Sequence, residues 1–329
     1  MTARNFTWRD GDRTIRFGRG VAGEAVDALG GEGYALLTTE RAAEMAPAVV
    51  EGAAAVHMVG GGWVDELAGD LMGAVARERI VALGGGRLVD TAKALAAASG
   101  GTQVAMAVPT TLSGAEMTRI HRRARGADAR APTVRPRVVV NDPALSASQP
   151  LGELAASALN ALGHAVEGPC TPLANPVATL AAHDGARLLA RSLSGEPDRD
   201  GLALGALLAG YTIDSTGYGL HHVLAQTLVR VGGAGHGAAN AVLLPHTIGA
   251  LGWRFPERLD ALATALDGEP GEIAARMCEL TGTTRLREIG VKRDALAACA
   301  DAAAERPELD LTPPRADRAE LLALYEGAW

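Results

Sequence analysis

The residues best placed to do chemistry are histidines in the second half of the chain. In LNALGHAVEG, Asn160 stands four residues before His164 and Glu167 three after it. On a helix, residues three and four apart share a face. A carboxylate four before a histidine would read as a pair of metal ligands. Here that position holds an amide, a neutral and weaker oxygen donor. GYGLHHVLAQTLV reads as a second helix, carrying His221 and His222 with Gln226 four after His222 on the same face. GAGHGAANAVLLPH places His236 in what reads as a glycine-bordered loop. Imidazoles that converge from separate elements can hold zinc or iron. Without metal, the same groups donate or accept a proton beside a substrate oxygen. His57, His121, His183 and His246 read as surface or structural residues, with His246 placed before a helix.

A second constellation lies in the first half. VALGGGRLVDTAK sets Gly84, Gly85 and Gly86 between a strand and a helix. Glycines let a backbone approach a pyrophosphate, and the helix start offers free N–H groups and a positive dipole end. Asp90 and Lys93 follow one turn apart. Apart from Lys292, every other basic residue is arginine, so Lys93 stands out as a donor to ribose or phosphate. Arg87, straight after the glycines, reads equally as a phosphate contact or as a solvent-facing residue. VPTTLSGAEMT supplies hydroxyls at Thr110, Thr111 and Ser113 around another turn. Taken alone, the glycine run is equally a tight turn, and the threonine loop reads as a cap and turn. Arg119, Arg122 and Arg123 lie just beyond; paired N–H groups there would suit substrate carboxylates, and a solvated basic loop is the other reading.

These groups need elements to carry them. RTIRFG, YALLTT, AAAVHMV, RIVALGGG, QVAMAVPTT and RPRVVVNDPAL read as strands, and LVDTAKALAAASG reads as a helix stopped by glycine. That alternation predicts a parallel, doubly wound sheet. After about residue 150 the texture is Ala/Leu-rich and helical. The expected division is an α/β dinucleotide-binding domain over 1–148 and an all-helical domain over 149–329 that holds the histidines.

The bulk numbers narrow the classes. The chain has 329 residues, 48% of them hydrophobic, enough for a sizeable core. Its net charge of −7 argues against nucleic acid or an anionic membrane as partner. Three scattered cysteines form no disulfide or zinc-knuckle pattern. MTARNFTWRDGDRTIRF has no apolar signal core, and no apolar run is long enough to span a bilayer, so a cytoplasmic protein is expected.

In their order, these motifs resemble the iron-containing (group III) alcohol dehydrogenase family, which has the dehydroquinate synthase-like fold. GGGRLVDTAK is similar to GGGSxxDxAK, with Arg87 where serine is usual. PTTLSGAEMT is similar to PTTxSGSExT, NALGHAVEG…ANP to DAxxHAxE…NP, and GLHHVLAQTL…HGAANAVLLPH to GxxHxxAHxLG…HGxxNAxxLPH. FGRG resembles the family's opening hairpin. FTWRDGDRTIRFG, NALGHAVE and the doubled LHH look most like the maleylacetate reductase branch, whose members reduce an unsaturated keto diacid with a nicotinamide dinucleotide. The resemblance implies NAD or NADP as cofactor, a homodimer, and a catalytic cleft between the two domains. It puts the four metal-ligand positions on Asn160, His164, His222 and His236, with zinc or iron weakened by the amide. The proton-relay position falls on Gln226, which cannot act as an acid near neutral pH; His221 is a candidate replacement. The expected function is a nicotinamide-dependent oxidoreductase acting on an acidic hydroxy or keto substrate. A natural-product tailoring dehydrogenase acting on a larger intermediate, a lyase or cyclase on the same scaffold, and a non-catalytic nucleotide binder stay open.

Overall fold

The computed structural model describes residues 5–329. The first four residues of the N-terminal stretch read for a signal core, which also open the expected first domain, lie outside the described residues. The chain divides into two compact units, one ending at Gln149 and the other beginning at Pro150.

The first unit is built on seven strands: β1 (Phe6–Asp10), β2 (Arg13–Phe17), β3 (Tyr34–Thr38), β4 (Ala53–Met58), β5 (Arg79–Gly84), β6 (Val104–Pro109) and β7 (Val138–Asn141). Their order in the sheet is β1-β2-β7-β6-β5-β3-β4. Five of the six pairings are parallel. The exception is at one edge, where β1 pairs antiparallel with β2 as a hairpin. A two-residue connection can only turn the chain back on itself, and Gly11 at φ +62° makes that turn.

Helices α1 (Ala25–Ala28), α2 (Glu40–Met45), α3 (Pro47–Glu51), α4 (Val64–Leu71) and α5 (Gly86–Ala98) cover the sheet. Successive strand residues face opposite sides, so the central strands feed two cores. Tyr34, Leu36, Val81, Leu83, Met106 and Val108 pack with Ala25, Leu29, Ala42 and Val49 on one face. Ala35, Leu37, Ile80, Ala82, Ala105 and Ala107 pack with Leu88, Ala92 and Leu95 on the other. Burial on both faces explains why these strands read as continuous apolar runs. The order reverses between β3 and β5, because β4 lies outside β3 while β5 starts the run in the other direction. The glycine turn follows β5 at that switch.

Among the described residues, the second unit has helices and turns and no strand. Its α-helices are α6 (Leu151–Glu167), α7 (Pro176–Ser192), α8 (Arg199–Thr216), α9 (Leu220–Gly232), α10 (His236–Arg254), α11 (Pro256–Leu266), α12 (Pro270–Glu279), α13 (Ala295–Ala304) and α14 (Arg318–Ala328). Local chemistry sets several starts. Asn175 accepts from Ala178 N–H and Pro176 opens α7; Asp198 accepts from Gly201 N–H to start α8. α7 and α8 approach closely where glycine faces glycine: a Cβ on Gly185 would sit 3.0 Å from the Gly205 carbonyl oxygen. α10 corrects two expectations. His236 is its first helical residue, with Gly235 as N-cap, and Pro245 and His246 lie inside it. No helix among the described residues is long and apolar enough to cross a membrane.

Candidate functional site

Helices α6 and α9 bring three histidines together. The His164 and His222 rings stack with centroids 4.7 Å apart. His221 meets His222 edge-on at 4.8 Å. The rings of α9 lie against α6 at a glycine: a Cβ on Gly163 would sit 2.7 Å from His221 Nε2 and 3.5 Å from His222 Cε1, so glycine at 163 makes the room.

Glu167 organises the group. Its carboxylate is fully buried, yet Oε1 accepts from the His221 backbone N–H at 2.6 Å, and Oε2 accepts from the His222 backbone N–H at 3.4 Å. An anion at a helix N-terminus meets N–H groups that no preceding turn can use. His222 Nδ1 lies 2.6 Å from Oε2 as well. With Nδ1–H donating to the carboxylate, Nε2 carries the lone pair. Burial pushes the Glu167 carboxyl up, against the pull of the His221 ring and of its backbone donors. Burial, then the His236 ring, pushes His222 down to about 3. Burial likewise takes His221 to about 3 and His164 well below its ordinary range. All three rings are therefore neutral at pH 7.

His221 is fixed from its other side. Thr247 Oγ1 donates back to its own helix, 3.1 Å from the Leu243 carbonyl oxygen, and so accepts from His221 Nδ1 at 2.9 Å. Three imidazole nitrogens are then buried with no hydrogen-bond partner: His164 Nδ1, His221 Nε2 and His222 Nε2. Such atoms cost free energy unless a ligand or proton uses them. Asn160 is buried on α6, as its spacing from His164 requires.

The family's resident metal would be zinc or iron, and the donors here bear on it in two ways. Neutral imidazoles with a carboxylate behind one of them suit a metal. Among the described residues, however, no three His, Cys, Asp or Glu side chains are gathered closely enough to hold an ion. The expected positions His164, His222 and His236 nevertheless stand near one another, the His236 ring acting on both of the other two. His236 opens a different helix, where the Asn240 amide nitrogen lies 3.5 Å from its Nε2 and donates to its carbonyl oxygen at 2.9 Å. Asn160 brings an amide where a carboxylate would attract the cation. The three rings and Glu167 present a cluster of neutral imidazoles with one carboxylate behind it.

Gln226 is occupied elsewhere. Its Oε1 accepts from Arg306 Nη2 at 3.1 Å and lies 3.4 Å from the Tyr218 hydroxyl. Arg306 also grips Glu308, and the Tyr218 ring lies 5.9 Å from that of His222. Sequence reasoning gave no role to Glu167, Thr247, Tyr218, Arg306 or Glu308. Only Glu167 carried a signal, its place on the His164 face.

In the first unit, α5 starts at Gly86 with Gly85 as N-cap and no side-chain cap. The glycines are also packing devices: a Cβ on Gly85 would lie 3.2 Å from Thr111 Cγ2, and one on Gly86 would lie 2.8 Å from Ser113 Oγ. The glycine and threonine turns thus touch, and Thr110 N–H donates to the Gly84 carbonyl at 3.0 Å. Lys93 corrects its expected role. Its side chain is fully buried, and Nζ donates to the carbonyls of Ala115, Thr118 and Ile120 at 2.9 to 3.0 Å while pairing with Asp90 at 2.7 Å. An ammonium has three N–H groups, so none is left for a phosphate, and Asp90 is tied to it. Arg119, Arg122 and Arg123 are exposed, and Arg123 Nε donates to the Ala131 carbonyl at 3.0 Å.

Known proteins agree with this architecture. Residues 154–329 match the model of the Fe-containing alcohol dehydrogenase family, C-terminal. Maleylacetate reductase 1 of Rhodococcus opacus is 35% identical over 262 residues, covering 76% of this chain and 72% of that protein. Maleylacetate reductase from Rhizobium sp. strain MTP-10005 superposes with a TM-score of 0.82 at 28% identity, over 99% of this chain and 98% of that one. The same enzyme from Agrobacterium tumefaciens gives 0.82 at 26%, with the same coverage. These relatives do not favour a lyase or a non-catalytic binder. The chain belongs to the iron-containing alcohol dehydrogenase family, a family of NAD(P)-dependent oxidoreductases.

Proposed function

We propose that this protein reduces an unsaturated or keto acid with NADH or NADPH, as its likeness to maleylacetate reductases suggests. The observation that carries the reading is the Glu167–His222 pair, which aims a bare, buried Nε2 away from its orienting carboxylate. Binding of the nucleotide is supported by the uncapped start of α5 at the point where the strand order reverses, the place where open α/β sheets bind ligands. Backbone N–H groups of Gly86 and Arg87 would face the pyrophosphate. Gly84, Gly85, Thr110, Thr111 and Ser113 would shape the turns around it.

Bound there, a reduced nicotinamide supplies the hydride. The chain's own residues handle the oxygen and the proton. Reduction puts the hydride on carbon and one proton on oxygen; His222 Nε2, bare at rest, would take that proton from water and pass it to the substrate oxygen, while Glu167 keeps the ring in one tautomer and orientation. His164 stacks on the ring, and Thr247 fixes His221 edge-on against it.

The test is consumption of NADH or NADPH, followed at 340 nm, with maleylacetate in the presence and absence of EDTA. Turnover unaffected by EDTA, and reduced about 10²–10⁴-fold in His222→Gln, is the expected result. No turnover with any keto acid, or full activity in His222→Gln, would overturn the reading.

A further inference from the structure

The Arg306 cluster has a chemistry that fold maintenance does not require. Arg306 and Glu308 are two residues apart in a turn, with side chains 22% and 29% exposed. A local, partly solvated ion pair contributes little stability. The geometry is nonetheless elaborate. Glu308 takes the guanidinium edge in two bonds, Nε to Oε2 at 2.9 Å and Nη2 to Oε1 at 2.8 Å. Nη2 also reaches the Tyr218 hydroxyl at 3.2 Å and Gln226 Oε1 at 3.1 Å. Tyr218 Oη itself donates towards Glu308 Oε1 at 3.1 Å. Nη1 makes no hydrogen bond to the protein, and it is not among the buried polar atoms left without one.

Three side chains thus hold one guanidinium in a fixed orientation and leave its Nη1 donors open. They do so one helical turn from His222, through Gln226 on α9 and through the Tyr218 ring. The fork already binds a carboxylate in two-point geometry, that of Glu308. A rigid, part-buried guanidinium with a free nitrogen is a recognition element for a planar anion. Gln226 fits this purpose: its amide oxygen is an uncharged acceptor that steadies the arginine without neutralising it.

We propose that Arg306 is the specificity residue of this enzyme, binding a substrate carboxylate through Nη1 beside the Tyr218 hydroxyl. Glu308 and Gln226 are positioning residues that hold the guanidinium. The substrate class is then a dicarboxylate, with one carboxylate on Arg306 and the reacting carbonyl at His222. This rests on the reductase reading above and adds the group that selects the acid.

The experiment compares wild type, Arg306→Met and Arg306→Lys in the intact enzyme. KM and kcat are measured with maleylacetate and with a neutral aldehyde, succinate is used as a competitive inhibitor, and NADH binding is followed by fluorescence. A lost charge-assisted bond should raise the maleylacetate KM and the succinate Ki about 10- to 100-fold in Arg306→Met. Arg306→Lys should recover part of that loss, and aldehyde kinetics and NADH affinity should stay within about twofold of wild type. An unchanged maleylacetate KM, or equal losses on both substrates, would overturn the proposal while leaving the reductase reading intact. Absence of NADH binding and turnover in wild type itself would overturn that underlying reading instead.

Discussion

Glu116 makes the first unit's stability depend on pH in a direction opposite to that of most carboxylates. Its side chain is 1% exposed. Oε1 has only a 3.5 Å contact from Asn141 Nδ2, and Oε2 has no hydrogen-bond partner. Burial pushes its pKa from 4.5 up to about 7, although its own backbone N–H and the charges of Lys93 and Arg13 pull it down. The folded state therefore binds a proton that the unfolded state has released between pH 4.5 and 7. Stability is highest below that window and falls as pH rises through it, then levels off above 7. The gap is worth about 3 kcal/mol at about 1.4 kcal/mol per pH unit. Glu116→Gln keeps the shape of the protonated acid and cannot ionise. Urea denaturation followed by circular dichroism should give nearly equal stabilities for the two proteins at pH 5. At pH 8 the variant should be more stable by about 3 kcal/mol. His121, held below its ordinary value by burial, titrates in both proteins and cancels in the difference. Parallel stability curves between pH 5 and 8, or a variant weaker at pH 8, would refute the assignment of a buried, destabilising carboxylate.

Two substitutions test other parts of the structure. Lys93→Met should cost about 3–5 kcal/mol, because it strands Asp90 and the carbonyls of the 115–120 segment; denaturation midpoints would show it, and a loss under 1 kcal/mol would contradict the clamp. Gly163→Ala places a methyl 2.7 Å from His221 Nε2, so it should destabilise by about 1–3 kcal/mol and lower kcat, as thermal melts and steady-state rates would record.

Much of this was legible in the sequence, for identifiable reasons. β3, β5 and β6 are buried on both faces, so their runs are unbroken and easy to read. β1 alternates exposed and half-buried residues, and its pairing direction follows from the turn rather than from its composition. The His164 and His222 spacings marked the site because helix periodicity is fixed. His236 looked like a loop residue because glycines flank it, but Gly235 is a cap and Gly237 continues the helix. Lys93 was noticed for its rarity. Rarity says nothing about direction, and the carbonyls it serves belong to a turn more than twenty residues on. Arg306 lies 80 residues from Gln226, a pairing that only the folded chain can reveal.

Glu167 gives the site an all-or-none character. One carboxylate secures the first turn of α9 and orients the imidazole that this turn carries. Fraying of that turn would release the ring, and loss of the ring contact would loosen the turn. Helix initiation and readiness for proton transfer are thus a single event. Slow amide exchange at His221 and His222 would therefore report what fraction of molecules is poised to react.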